Sequence, residues 1–165
     1  MILSANEVSS TVLKAARAAG VPLSQAEDLS RAAPLLTENL AGLLAALEGP
    51  FGAVEMRDGI IEDARAVVAG PAALDWVAVT GEAVQLRSCD AVDVVSALAA
   101  SAGSRVVVDG QDVTVSRGDV EAVTPTRCEV DARLWARVER LAARVYVPAS
   151  AASRANAGAG ETDND

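Results

Sequence analysis

Residues 105–115 read RVVVDGQDVTV, and this stretch decides the fold class. Val106-Val107-Val108 and Val113-Thr114-Val115 are runs of β-branched residues, whose stiff side chains suit a pleated surface. Between them stands Asp109-Gly110, the dipeptide favoured in type I′ hairpin turns because both central residues need positive φ. An antiparallel hairpin is predicted. Arg117-Gly118 and Val120 to Val123 are read as adding a third strand, and Cys128-Glu129-Val130 as a further short one.

Working outward, the flanks are helical. Asp131 is placed to cap a last helix through about Val145, with Leu134, Trp135, Val138, Leu141 and Ala142 on its apolar face. Asp90 is expected to cap a helix from Val92 to about Ala100. Upstream, Trp76-Val77-Ala78-Val79 and Ala83-Val84-Gln85-Leu86 are read as strands across a Gly81-Glu82 turn. Residues Ile60 to Leu74 fit a helix in part, but Gly70-Pro71 is expected to break it. Ala53 to Met56 is read as a strand turned by Asp58-Gly59.

The first third is purely helical in pattern. Ser4-x-x-Glu7 has the form of a capping box, with Leu3 and Val8 placed as a hydrophobic staple. Val8, Val12, Ala15 and Ala19 follow on one face, and Gly20 ends the helix. A second box at Ser24-x-x-Glu27 is expected to open the next helix, through about Ala33. Leu40, Leu43, Leu44 and Leu47 then form one stripe before Gly49-Pro50. The expected fold is α+β: N-terminal helices and a C-terminal helix packed on a mostly antiparallel sheet, with an irregular C-terminal tail. Residues 1–148 are read as a single domain, helical over 1–49 and mixed over 50–148, followed by a flexible polar tail at 149–165.

Composition excludes several kinds of work. The chain has 165 residues, 51% hydrophobic but only 2% aromatic, so its core is built mainly from Ala, Val and Leu. Fourteen basic residues stand against 23 acidic, a net charge of −9. Phosphate backbones and anionic membranes are repelled, so neither nucleic acid nor membrane is expected as a partner. With no histidine, Ser-His-Asp and Cys-His catalysis and histidine metal sites are excluded. No cofactor and no metal are expected. Cys89 and Cys128 follow no metal or redox spacing and are read as structural thiols, Lys14 as a solvated helix residue. Glu55, Asp58, Glu62 and Asp63 cluster in sequence and are read as a solvated charged face. Without a signal segment, a cytoplasmic location is expected.

The tail draws the functional reading. From Ala149 to Asp165 there is no Val, Leu, Ile or aromatic residue. Ser150, Ser153, Arg154, Thr162, Asp163, Asn164 and Asp165 instead concentrate hydrogen-bonding groups, and Arg154 has the fork geometry to clamp a carboxylate or phosphate. Such a stretch orders only by gripping something.

Two blocks carry a resemblance: Asn6-Glu7-Val8, Lys14 to Gly20, Ala26-Glu27 and Arg31-Ala32-Ala33 near one end; Tyr146 to Ser150, Ser153-Arg154, Gly158-Ala159-Gly160 and Thr162 to Asp165 at the other. In these the chain resembles an uncharacterised bacterial family, catalogued as a domain of unknown function. The family pattern has a larger residue where Ala152 or Ala155 stands and an aromatic where Leu23 follows Pro22. The resemblance implies no activity; it implies that the tail motif recurs. The favoured function is a non-catalytic interaction or assembly subunit, docking by its tail on a protein partner or on another copy in a homo-oligomer. The alternative is an enzyme or enzyme subunit for a small carboxylate-bearing (anionic) metabolite, in which Arg154 binds substrate, Asp163 or Asp165 handles protons or a cation, and the tail completes the active site. A small-molecule sensor is the third reading.

Overall fold

In the computed structural model, which describes residues 1–119, 121–122 and 125–145, the capping box at Ser4 forms as written. Glu7 N–H donates to Ser4 Oγ (3.2 Å), and Ser4 N–H donates to the Glu7 carboxylate (2.8 Å). Helix α1 (Ala5–Ala19) buries Val8, Val12, Ala15 and Ala16, and stops at Gly20, whose φ of 94° only glycine adopts without strain. Strand β1 (Ile2–Ser4) leads into it.

Helix α2 (Leu23–Ala32) corrects the second expected box. Its N-cap is Pro22, with no side-chain cap; Ser24 already lies in the first turn, where its hydroxyl cannot serve as cap. A 3₁₀ segment (Ala33–Asn39) carries the chain past Pro34 into α3 (Leu40–Glu48), with Leu40, Leu43, Leu44 and Leu47 all buried.

The next stretch departs further from expectation. Residues 53–56 form no strand; the turn at Asp58-Gly59 instead joins Arg57 to Ile60 through paired backbone bonds of 3.0 and 2.9 Å. Strand β2 (Ile60–Ile61) is followed by helix α4 (Ala66–Thr80), so Trp76 to Val79 is helical and Pro71 sits inside the helix. The reason is burial on every side. Residues 66–71 are all buried, which erases the helical period, and a clustering of Val and Trp at the far end imitates a strand. Proline at this place removes the bond to the Val67 carbonyl at a cost of about 3 kcal/mol, which the burial of Val67, Val68, Ala73 and Val77 offsets.

Strand β3 (Val84–Leu86), helix α5 (Val92–Ser101) and the hairpin β4 (Arg105–Asp109) and β5 (Asp112–Ser116) follow. The hairpin is present, but its turn lies one residue later than predicted. Asp109 pairs with Asp112, so Gly110-Gln111 is the loop, and only Gly110 (φ 62°) has positive φ; this is the II′ pattern. The expected third strand after Arg117 does not form in the described residues, although Val120, Val123 and Thr124 lie outside them. The second neighbour of β5 is β3. Strand β6 (Arg127–Glu129) pairs antiparallel with β1, and Asp131 caps α6 (Ala132–Ala142) by accepting from Arg133 and Leu134 N–H, both at 2.9 Å.

The architecture is α+β. The larger sheet has the order β2-β3-β5-β4, antiparallel except for the short parallel pair β2–β3. Its inner face (Ile61, Val84, Leu86, Val113, Val115) is covered by α4 and α5, while α1 packs with α2 and α6. Among the described residues no helix is long and apolar enough to cross a membrane.

Candidate functional site

The tail residues singled out by sequence — Ser150, Ser153, Arg154, Thr162, Asp163, Asn164 and Asp165 — lie outside the described residues. Within the body two features remain: a cleft beside the start of α4, and the free edge of the larger sheet.

The cleft, of about 630 Å3, is lined by residues 52–55, 57–58, 60–65 and 68–69. Three non-glycine residues with positive φ shape this neighbourhood: Asp58 (51°), Asp63 (46°) and Ser88 (48°). Asp58 is in the tight turn. Asp63 and Ser88 lie on the two chains that run side by side past the ends of β2 and β3, joined by Ala64 N–H to Arg87 O (3.0 Å) and Asp90 N–H to Ala64 O (3.2 Å). This pairing delivers Asp90 to the start of α4. Asp90 is therefore not the cap of α5, as sequence suggested; the N-cap there is Ala91, without a side-chain bond. Its Oδ1 accepts from Ala66 N–H (2.7 Å), and its Oδ2 meets Arg65 Nη2 at 3.1 Å. Arg65 lies under Gly49, where any Cβ would strike the guanidinium, and its Nε is buried without a hydrogen-bond partner.

Glu55, Asp58, Glu62 and Asp63 do share the wall of this cleft. They do not converge: among the described residues no three acids or cysteines come together to hold a metal ion. The guanidinium groups are already engaged. Arg57 meets Glu55 at 3.3 Å, Arg65 meets Asp90, and Arg87 meets Glu62 at 2.9 Å. A carboxylate ligand would compete at each of these guanidinium groups with a carboxylate of the same chain.

Neither thiol is primed for chemistry. Burial pushes the Cys89 thiol up, and the Asp90 charge adds to that against the Ala91 N–H and Arg65; burial likewise pushes up Cys128. Both are free and buried. Lys14 is exposed on α1.

The sheet edge is the second feature. Strand β4 is outermost, with β5 on one side and, among the described residues, no strand on the other. The register places Val107 beside Thr114 and Gln85 on the uncovered face, and Val108 beside Val113 and Leu86 on the helix-covered face. Central members Leu86 and Val113 are fully buried, yet Val107 is 60% and Val108 46% exposed. Both ends of the strand, Arg105 and Asp109, are exposed, and neither has an ion pair among the described residues. Exposed edges template strand pairing, and proteins ordinarily blunt them. Sequence pattern found this hairpin but missed the edge, because strand order is set by β3, distant in the chain.

No family model, curated protein or solved structure matches the chain.

Proposed function

We propose that this chain is a non-catalytic interaction and assembly subunit, docking on another polypeptide through surface that its own fold leaves uncovered. The supporting observation is the edge strand β4, unpaired on its outer side among the described residues, where Val108 is half-exposed at the end of a row of buried neighbours and Val107 stands exposed on the other face. Uncovered apolar side chains on an unpaired edge are costly in a lone molecule and useful in an assembled one. The polar C-terminal stretch, with Ser150, Ser153 and Arg154 ahead of Thr162 to Asp165, supplies a second contact in this reading. The cleft does not favour the carboxylate-binding alternative, since Arg57 and Arg65 are each held by a carboxylate of the same chain.

The test is sedimentation of the labelled intact chain, in buffer over a concentration series and in host-cell extract. The expected result is a species heavier than the 16.8 kDa monomer in at least one setting. Removal of residues 149–165 is expected to weaken that assembly without lowering the melting temperature. A monomer under every condition overturns the proposal.

A further inference from the structure

Resting on the assembly reading, we infer that the partner at β4 is a second copy of this chain, joined by antiparallel pairing of the two β4 strands about a twofold axis at Val107. The strand reads Arg105-Val106-Val107-Val108-Asp109, with opposite charges at its two ends and three valines between. Antiparallel pairing centred on Val107 sets Arg105 of each copy opposite Asp109 of the other, twice by symmetry. Val106 falls opposite Val108, also twice, and Val107 meets its own counterpart. Such isologous contacts are the commonest route to a closed dimer, and cross-strand charge and valine pairs stabilise it.

The competing registers are disfavoured by the same residues. Parallel in-register pairing opposes Arg105 to Arg105 and Asp109 to Asp109. An antiparallel pairing centred on Asp109 sets that carboxylate against itself. Among antiparallel registers, only the one centred on Val107 brings Arg105 and Asp109 of the two copies opposite one another, so the charge pattern favours it.

Two features of the isolated chain are resolved by this pairing. Asp109 faces Asp112 across the hairpin, so two carboxylates oppose one another at the turn; Arg105 of the second copy brings a cation to that end. The inner row Ile61–Leu86–Val113–Val108 ends on a half-exposed valine. In the dimer it runs on into Val106, Val115 and Val84 of the other copy, because residues directly opposite in a ladder share a face. Two four-stranded sheets become one of eight strands. Five residues per copy are a small interface, so the association belongs in the weak class.

Charge reversal tests it. Arg105→Asp alone and Asp109→Arg alone each place like charges opposite one another, and each is expected to weaken self-association by about tenfold or more. The double variant R105D/D109R restores the pattern in reverse and is expected to self-associate as the unchanged chain does. Mixing the two single variants is expected to give a heterodimer, since one strand then carries only Asp at its ends and the other only Arg. Unchanged melting curves confirm that the exposed substitutions leave the fold intact. Self-association that ignores both single reversals, or single variants that do not combine on mixing, overturns the β4 pairing while leaving the assembly reading standing. A chain monomeric in buffer but heavier in extract does the same. Only a chain monomeric in both removes the two together.

Discussion

Helices α1 and α4 are both fifteen residues long, yet they are started by different means. The side-chain cap of α1 is made by Ser4 and Glu7, three residues apart, in bonds that the segment makes for itself, while Ala5 N–H donates separately to Thr126 O (3.2 Å). The start of α4 is held by Asp90, 24 residues away, which also carries the ion pair to Arg65. A local cap stabilises one helix and nothing else. A remote cap fastens a helix to a loop, so that α4, the β2–β3 pair and the approach to α5 stand or fall together.

The comparison predicts its own failures. Asp90→Ala removes a cap and leaves the Arg65 guanidinium, wedged under Gly49, without its counter-ion; the expected loss is about 2–3 kcal/mol in urea unfolding. Ser4→Ala removes only a local cap and should cost about 1 kcal/mol. If the two losses are equal, the remote cap carries no extra linkage and the contrast is broken.

The smallest effect is a dependence on pH. The Ser4 backbone N–H, and then its hydroxyl, holds the Glu7 carboxyl below its ordinary 4.5; the Leu134 N–H, aided by that of Arg133, holds Asp131 below its ordinary 3.8. A lowered folded value means stability that is present in full above the ordinary value and is lost as pH falls through the folded one. Glu7→Gln and Asp131→Asn should therefore lower neutral stability toward its acid value, flatten the acid limb below about pH 4.5, and leave stability in strong acid little changed. A limb as steep as before would exclude these local caps as its source.

The same distinction explains what was legible in the sequence. Ser4, Gly20, the Leu40–Leu47 stripe and Asp131 act on neighbours a few residues away, and each performs as its spacing predicts. The hairpin of β4 and β5 is equally local, and the Asp109-Gly110 signal lies within one residue of its turn. Failure begins where partners are distant. Asp90 stands before α5 in sequence but serves α4, and Pro71 is tolerated in a helix turn whose residues 66–71 are all buried. Ser24-x-x-Glu27 failed for a subtler reason: Pro22 supplies a fixed φ two residues earlier, so the helix starts before the box can act. For the candidate site the charges and valines of β4 were in plain view, whereas its position at the sheet edge depended on β3 and β5 pairing across α5.

The bond between the Met1 amine and Val130 O (2.8 Å) joins positions 129 apart in the chain. On the ribosome this has a cost in time. Among the described residues, 57–116 contain every strand of the larger sheet, and these can close as they emerge. Helix α1 is made far earlier, but the flank that meets β6 and α6 must wait on the order of ten seconds at ordinary elongation rates. Through that interval the nascent chain offers a greasy helix side to any chaperone at the exit tunnel, and slowing translation between α5 and β6 should lengthen that exposure in proportion.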